Sequence, residues 1–513
     1  MSAGRSGGRR GRALKRKTTA ESHFDAAWRQ IKNPYPPIEQ FSVDEIEAIH
    51  TATMTVLSEI GIKVLSAEAR EIYVKAGMTQ ADDQVIRFDP DLLLDLIAKA
   101  PSEFTLHSRN RTRDLLIGGN NVALGTAGGA PNFSSLQNPR HPGTQADFDN
   151  ILRVAYSFDV IHMAGVPVEP QDVPPNLRHY GMVRSAITLA DKISGVYFRG
   201  RQVVADSFEM LRIAHGLTHD EFTQTPLCLT VANSNSPLQL DHLMCAGIID
   251  AARMGQMMIL TPFTLAGAMA PVTIPGALVM QNAEALSGLA LSQIVRPGVP
   301  VCYGSFTSNV DMKTGAPAFG TPEYVRAAFA SGQLARRYGV PLRSSGPTAS
   351  NTPDAQGAYE SQMSLWGALM GGANIVMHAA GWLEGGLTFS AEKMILDIEV
   401  LQMFAEMFKP LPVNAATLGL EAIRDVGHGG HFFGTAHTLE RFETAFYSPL
   451  VSDWSNFENW TERGSVDATT RANKIFHDRV AAHEPPPLDP SRLEEIDDFI
   501  ARRTAEGGAD MSR

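Results

Sequence analysis

Short apolar runs rich in Val, Ile and Leu recur from residue 121 onward, at intervals of about 30 to 40 residues. Each run is almost continuously apolar, which is typical of a strand buried on both faces of a parallel sheet. The pattern therefore predicts eight buried parallel strands. They are Val122–Gly125, Val160–Gly165, Ile193–Tyr197, Leu227–Ala232, Met257–Thr261, Val299–Gly304, Val340–Ser345 and Asn374–His378.

Between these runs, apolar positions recur every three to four residues, as they do on one face of a helix. Gln239–Arg253 and Gly276–Val295 are examples. Pro322–Tyr338 also carries both boundary signals, because Thr321 can cap its first turn and Gly339 can end it. Strands and helices thus alternate through this part of the chain.

Eight strand–helix units in about 260 residues predict a (β/α)8 TIM-type barrel over residues 121–400. The alternative is an open doubly wound sheet, which carries a Gly-x-Gly-x-x-Gly fingerprint after its first strand. The sequence at that place, Thr126–Gly129, is rich in glycine but lacks the required spacing. The barrel is therefore the favoured fold.

The flanking segments are predicted from the same signals. Residues 1–40 form a basic, disordered tail and arm. Residues 41–120 form a small α/β N-terminal region that begins with a helix over Phe41–Ser66. Residues 401–513 form a C-terminal helical extension that wraps the barrel or bridges subunits. Its candidate helices are Leu401–Phe408, Arg441–Phe446, Asp467–His483 and Ser491–Arg503.

Composition and charge exclude several classes of protein. A net charge of −11 argues against nucleic acid as a partner, because phosphate binding needs a basic face. No apolar run is long enough to cross a membrane, and the basic first twenty residues lack the apolar segment of a secretory signal. Three cysteines without a Cys-x-x-Cys pair indicate a reducing, cytoplasmic location. A zinc site built from Cys228 and Cys302 is conceivable, but small buried hydrophobic side chains are favoured, so no metal site is predicted.

Residues that follow the strands of a barrel face its active site. The rule points to Gly304–Glu323 and His378–Asp397 as the lining of the barrel mouth. Both stretches lack the Gly-x-Ser-x-Gly, His-Glu-x-x-His and Walker motifs of common hydrolases and nucleotide-binding enzymes. The strand-end rule instead selects aromatic residues and carboxylates, namely Phe263, Tyr303, Phe306, Trp382, Asp311 and Glu384.

Aromatic faces beside carboxylates suit a quaternary or tertiary ammonium group, because the ring quadrupole attracts a cation without a hydrogen bond. The predicted ligand is therefore a small methylated amine. Other interpretations stay open: Tyr303 and Phe306 could be core aromatics, and His378 could be a structural residue at the end of an apolar run.

Several longer motifs resemble the trimethylamine methyltransferase family, and the resemblance extends from about Ser42 to Asp397. The motifs are Ala268–Thr273, Gln281–Glu284, Pro297–Gly304, Asp311–Gly315, Gly320–Glu323 and Ala379–Leu387. The resemblance implies a (β/α) barrel that passes a methyl group from an amine to the cob(I)alamin of a separate corrinoid protein. It also implies that this chain binds no cofactor itself, and the Asp-x-His-x-x-Gly signature of a corrinoid carrier is absent from it.

The archaeal trimethylamine enzymes of this family carry pyrrolysine a few residues before an Asp-x-Gln pair. The similar pair here is Asp354-Ala355-Gln356, and the matching place lies near Asn351, where no pyrrolysine is present. The resemblance therefore implies a quaternary amine such as glycine betaine rather than trimethylamine. A quaternary ammonium needs no general base, because its leaving group is a neutral tertiary amine.

These considerations together predict a corrinoid-dependent methyltransferase that acts on a betaine-like quaternary amine, is a homo-oligomer and has a corrinoid carrier as its partner. The predicted catalytic residues are Asn351, His378 and Glu384, and the predicted substrate-binding residues are Phe263, Tyr303, Phe306, Arg199, Arg343, Gln356 and Trp382. Arg199, Arg343 or a protonated His378 could hold a substrate carboxylate, although each arginine could instead form a salt bridge beside the barrel. Two alternatives remain: a cobalamin-independent barrel enzyme acting on a methylated amine, and a non-catalytic quaternary-amine binder.

Overall fold

The computed structural model describes residues 30–510, which form a mixed α/β fold around a curled nine-stranded sheet. Eight neighbouring strands of this sheet are parallel, and Ile31–Lys32 is added antiparallel at one edge. We number the eight parallel strands one to eight in chain order. They are Asn121–Leu124, Met163–Ala164, Ile193–Val196, Cys228–Ala232, Met257–Leu260, Val301–Gly304, Leu342–Ser345 and Ile375–Met377.

The order of these strands across the sheet is one, eight, seven, six, five, four, three, two. One further parallel bridge, between Gly125 and Met163, links strands one and two at the two ends of that order. The His162 amide donates to the Leu124 carbonyl at 2.9 Å beside the bridge. The eight predicted strands and their parallel pairing are thus confirmed.

Both faces of the sheet are buried, which explains why its strands are continuously apolar. Ile259, Cys302 and Ile375 face the interior of the curl, where a hairpin of Glu103–Leu106 and Leu115–Gly118 packs against them. Residues one position away along each strand face outward and pack against the helices. Cys228 belongs to the outward layer and Cys302 to the interior, so these two cysteines lie on opposite faces of the sheet.

Helices follow the strands and form an outer layer. They are Gln145–Tyr156, Pro175–Leu189, Arg201–His215, His219–Gln224, His242–Arg253, Ile274–Val295, Pro322–Tyr338, Ala355–Met370 and Ala391–Met407. The helix Pro322–Tyr338 has the predicted bounds, with Thr321 accepting from the Tyr324 amide at 3.2 Å and Gly339 ending it in the left-handed conformation.

The N-terminal region differs from the sequence prediction at its first helix. The α-helix Val43–Thr55 continues as a π-helix over Val56–Ile60 and ends at Gly61, whose φ is 82°. The chain then enters a strand, Ile62–Val64, so the predicted helix over Phe41–Ser66 is too long. The remaining helices and strands of this region are Ala67–Lys75, Thr79–Gln80, Val85–Arg87 and Pro90–Ile97.

Gln239–Leu240 pairs with Ile62–Val64, so the N-terminal region shares a small sheet with the loop that follows strand four. Gln239 was predicted to begin a helix, but the helix starts at His242 because Asp241 caps it through the Met244 amide. This pairing fastens the N-terminal region to the mouth of the curled sheet.

The C-terminal segment packs on the outside of the sheet's helical layer. Its helices are Ala415–Leu418, Leu420–Val426, Ala436–Leu439, Phe457–Glu462, Ala468–Ala481 and Pro490–Ala505. Ala468–Ala481 packs against Ala391–Met407, and Pro490–Ala505 packs against Arg201–His215. Arg441–Phe446 was predicted to be helical, but these residues form turns that expose Phe442 and Phe446 to solvent.

Across residues 30–510, no helix is long and apolar enough to cross a membrane. In the same part of the chain, no cluster of three or more His, Cys, Asp or Glu side chains is suited to hold a metal ion.

Candidate active site

A cavity of about 420 Å³ lies at the carboxyl ends of the parallel strands. This size is within the range of small-molecule sites. Six of the ten predicted site residues line it: Arg199, Phe263, Phe306, Arg343, His378 and Trp382. The strand-end rule therefore brings together side chains from the ends of strands three, five, six, seven and eight.

Arg343 is the most deeply placed charge of the site. It lies on strand seven in register with Gly304 and Ile375, two residues before that strand ends at Ser345, and its side chain is 2% exposed. Burial lowers the pKa of its guanidinium to about 10, so it remains a cation at neutral pH. Its hydrogen bonds are marginal, since Nη1 lies 3.5 Å from the Ser305 carbonyl and Nη2 lies 3.5 Å from His378 Nδ1.

Three cavity-lining residues carry buried polar atoms that have no hydrogen-bond partner within the described part of the chain. These atoms are Nε of Arg343, Nε1 of Trp382 and Oγ1 of Thr261. All three can donate a hydrogen bond, and none belongs to an acidic group. Buried donors are normally satisfied, so this group indicates an acceptor that comes from outside the chain.

His378 follows strand eight and has a φ of 55°, which is rare for a residue other than glycine. This conformation ends the strand and lets both Met377 and His378 line the cavity. Burial, with a smaller effect of the Arg343 charge, lowers the pKa of His378 well below its usual range. The ring is therefore neutral at physiological pH. His378 thus does not offer a positive charge to a substrate carboxylate, as it would if it were protonated.

Aromatic rings form one wall of the cavity. The ring of Phe306 lies 5.2 Å from that of Phe263, 5.5 Å from His378 and 6.1 Å from Trp382, measured between centroids. The Arg343 guanidinium lies 5.5 Å from the Phe306 centroid. Such a wall can hold a quaternary ammonium through its ring faces.

The carboxylates expected beside these rings lie elsewhere. None of the described residues that line the cavity is an aspartate or glutamate. Asp311 caps an exposed turn through the Thr314 hydroxyl at 2.7 Å. Glu384 forms an ion pair with Arg140, with 2.9 Å between Nε and Oε2. The cavity therefore carries positive charge and aromatic surface without a protein carboxylate.

Arg199 is placed at the rim of the cavity rather than in its depth. Its side chain is 55% exposed and forms an ion pair with Glu169, which also pairs with Arg178 at 3.1 Å. The salt bridge considered for it is thus present. Of the two arginines, only Arg343 lacks a carboxylate partner among the described residues, because no ion pair involves it.

Four predicted site residues do not line the cavity. Tyr303 faces outward, because it alternates with the inward Cys302, and its hydroxyl donates to Asn282 Oδ1 at 3.1 Å within the helical layer. Gln356 lies on the surface of the helix after strand seven and donates to Glu360 at 2.7 Å. Asn351 is exposed in the loop before that helix. The fourth, Glu384, is the ion-paired residue described above.

Buried carboxylates hold two loops of the mouth. After strand four, Glu284 accepts from the Ser236 hydroxyl at 2.6 Å and the Leu238 amide at 2.8 Å. After strand seven, Glu360 accepts from the Ala349 and Ser350 amides at 2.8 and 2.9 Å. Each carboxylate replaces the water that these loop donors would otherwise bind, so both loops are held in one conformation.

The loop after strand eight, which carries Trp382, is held by Asp397. Its carboxylate accepts from the Gly381 amide at 2.9 Å and forms a buried ion pair with Lys393. Gly381 has a φ of 90°, and a β-carbon there would lie 2.4 Å from the Phe389 ring, so only glycine fits. This packing fixes the start of the loop and therefore the position of the indole.

Comparison with known proteins places this site in a family. The sequence profile described as trimethylamine methyltransferase (MTTB) matches residues 5–508, which is nearly the whole chain. The chain belongs to the trimethylamine methyltransferase family. It is thus a methyltransferase, and the family resemblance seen in its motifs is confirmed.

Several relatives of this methyltransferase are similar along most of their length. The chain is 34% identical to the glycine betaine methyltransferase of Desulfitobacterium hafniense strain Y51, covering 92% of this chain and 98% of that protein. It is 31% identical to a trimethylamine methyltransferase, MttB, of D. hafniense strain DSM 10664, covering 87% and 90%. It is 28% identical to MttB2 of Methanosarcina mazei, covering 90% and 94%.

Among solved structures, the methyltransferase resembles the monomethylamine methyltransferase MtmB of Methanosarcina barkeri, with a TM-score of 0.51 over 86% of this chain and 88% of that chain. A hydroxylamine complex of MtmB gives a TM-score of 0.50 over 89% of both chains. Sequence identities are 10% and 11%, so these two structures support the fold alone.

The methyltransferase's cavity also contains residues that the sequence predictions did not include. They are Gly128, Gly129, Gly165, Val166, Gly195, Val196, Tyr197, Phe198, Leu229, Val231, Asn233, Leu243, Met244, Thr261 and Met377. A usable signal existed for the glycines, since Gly128, Gly165 and Gly195 lie at or just beyond the first three strands, where a missing side chain leaves room for a ligand. Leu243 and Met244 carried no such signal, because they look like ordinary first-turn residues of a helix.

Proposed function

We propose that this methyltransferase transfers a methyl group from a quaternary amine bearing a carboxylate, a betaine, to the cob(I)alamin of a separate carrier protein. The observation that carries the proposal is the buried Arg343, a cation without a protein carboxylate, beside unpaired donors of Trp382 and Thr261. A betaine carboxylate supplies the missing acceptor, and charge-assisted hydrogen bonds of this kind are strong. The 34% identity to a glycine betaine methyltransferase over 92% of this chain supports the same substrate class.

Arg343 and the aromatic residues lie at different depths in the cavity, and this difference would orient such a substrate. Arg343 lies one layer below the strand ends, whereas Phe306 and Trp382 follow them. A carboxylate bound by Arg343 therefore directs the trimethylammonium group outward against the aromatic wall. An N-methyl group then faces the mouth, where an acceptor from another protein can approach.

The transfer step needs no acid or base catalyst from the side chains around the methyl group. The N–CH3 bond breaks, the nitrogen keeps the bonding electron pair, and the amine leaves as a neutral tertiary amine. Cob(I)alamin, brought by the carrier, supplies the electron pair that accepts the methyl group. Arg343 and the rings bind and orient the substrate and exclude water from the transfer. A neutral His378 suits this step, because no proton has to move.

Two further features of the proposal concern architecture. The bridge between Gly125 and Met163 supports complete closure of the eight parallel strands into a barrel.

Large apolar side chains that remain exposed between residues 411 and 457, including Leu411, Phe433 and Phe446, support a homo-oligomer in which they are covered. The cavity has room for a small amine alone, so the corrinoid stays with its carrier over the mouth.

The test combines the purified enzyme, chemically reduced cobalamin and glycine betaine labelled in its methyl groups. We expect labelled dimethylglycine and a labelled methyl group on cobalt, both in equal amounts and both requiring enzyme. Formation of dimethylglycine without cobalamin would instead identify a cobalamin-independent enzyme. Saturable betaine binding without product, with cobalamin and any candidate carrier present, would identify a non-catalytic binder.

A further inference from the structure

The two sides of the cavity differ in chemical character. The strong donors, Arg343 and Trp382, come from strand seven and the loop after strand eight. On the opposite side, Phe198 follows strand three, and Leu243 and Met244 belong to the helix after strand four. The polar residues from these two strand ends include Asn233 and the rim residue Arg199, whose charge is already paired with Glu169. Strands three and four are separated from strands seven and eight by strands five and six, so the two groups face each other across the cavity.

We refer to Phe198, Leu229, Val231, Leu243 and Met244 as the apolar side of the cavity. Leu243 and Met244 are partly exposed, although they are large apolar residues in a well-packed region. Both side chains line the cavity. A ligand that covers them would gain stability from the removal of apolar surface from water.

The size of the cavity gives an independent argument. Glycine betaine has eight non-hydrogen atoms, which take up at most about 240 Å³ if each occupies a water's share of about 30 Å³. The cavity, at about 420 Å³, is larger than this. A glycine betaine held by Arg343 thus leaves the apolar side of the cavity uncovered.

We infer that the preferred substrate is a betaine whose α-carbon carries a branched hydrocarbon group, and that the apolar side of the cavity binds this group. The inference rests on the proposed function and narrows its substrate class. The carboxylate stays on Arg343, the ammonium stays against Phe306 and Trp382, and the hydrocarbon reaches Leu243 and Met244. N,N,N-Trimethylated leucine or valine has this shape.

The experiment compares the binding of glycine betaine, trimethylated valine and trimethylated leucine to the full-length enzyme by calorimetry. We expect trimethylated leucine to bind at least tenfold more tightly than glycine betaine, because three or more extra carbons become buried. Leu243→Trp should fill the apolar side and reduce the preference for trimethylated leucine over glycine betaine to less than about threefold. His242→Trp is the matched control, since His242 is the exposed neighbour that does not line the cavity, and it should keep the preference.

Two results would overturn the inference. One is glycine betaine binding as tightly as the larger betaines to the unmodified enzyme. The other is an equal loss of affinity for all three ligands in Leu243→Trp, with normal folding by circular dichroism, which would mean that this side serves every betaine alike. Met244→Trp provides a second substitution if Leu243→Trp does not fold.

The same ligands separate this inference from the proposed function when methyl transfer to reduced cobalamin is also measured. A tenfold preference in binding without transfer of any methyl group would contradict the proposed function, and it would show only that the apolar side of the cavity binds the hydrocarbon group. Methyl transfer from glycine betaine with no preference for the larger ligands would support the proposed function and contradict the inference.

Discussion

Replacing Arg343 by methionine should make the free protein more stable and should strongly weaken betaine binding. In the native protein Arg343 is 2% exposed, and its two hydrogen-bond contacts with described residues are both long, at 3.5 Å. Methionine is shorter than arginine, but it is unbranched, carries no charge and fills irregular space well. Replacing a buried charge by an apolar residue of similar volume is often neutral or stabilising.

The magnitude follows from the pKa of Arg343. A fall from the ordinary value of about 12.5 to about 10 corresponds to about 3 kcal/mol by which folding disfavours the charged guanidinium. For a base with a lowered pKa, this cost is fully present at every pH below about 10, so it applies at neutral pH. For a chain of this length, about 1 kcal/mol changes Tm by about 1 °C, so Arg343→Met should raise Tm by about 1–3 °C.

Ligand binding should change in the opposite direction. Loss of a buried charged partner costs about 2–5 kcal/mol, which lowers the affinity for a betaine by about 30-fold or more. The assay is a thermal unfolding scan with and without betaine, together with calorimetric titration. Arg199→Met is the matched control, because Arg199 is exposed and already paired with Glu169, and it should retain most of the affinity.

The result that would refute this reasoning is a marked loss of stability in Arg343→Met, by several kcal/mol. It would mean that the guanidinium has structural partners and is not held ready for a ligand. Retention of the betaine-induced rise in Tm would refute the assignment of the carboxylate to Arg343.

Other substitutions test the surroundings of the cavity. Glu284→Ala removes the acceptor of the Leu238 amide and should lower stability by about 1–3 kcal/mol in thermal unfolding, whereas unchanged stability would contradict its anchoring role. Because the pKa of His378 is lowered on folding, the free energy of unfolding should fall as the pH drops below about 6.5, by up to about 1.4 kcal/mol per pH unit. His378→Asn should lose less stability than the native protein between pH 8 and pH 5, as measured by unfolding curves of both proteins at each pH. Glu384→Gln should change the methyl-transfer rate by less than about threefold because Glu384 lies outside the cavity, and a hundredfold loss would restore its predicted catalytic role. Tyr303→Phe should cost about 1 kcal/mol of stability with no change in betaine Kd, since its hydroxyl bonds within the helical layer.

Local patterns in the sequence were sufficient to predict the strands, the helix Pro322–Tyr338 and the family. They succeeded because buried parallel strands are apolar throughout and because helix boundaries depend on neighbouring residues, such as Thr321 and Gly339. The boundary errors arose where a distant segment decided the outcome. Ile62–Val64 is a strand because it pairs with Gln239–Leu240, which lies far away along the chain.

The roles of the candidate site residues were decided by tertiary structure. The sequence identified Arg343, His378 and Trp382 as strand-end candidates. It could not reveal that Arg343 has no carboxylate partner within residues 30–510 or that Glu384 forms an ion pair with Arg140. Tyr303 was assigned to the wrong side of its strand because an apolar run buried on both faces conceals which residues point inward. The sequence by itself thus determined the order of the elements and the family, whereas only the tertiary structure decided which charges are already paired, because pairing depends on contacts between distant segments.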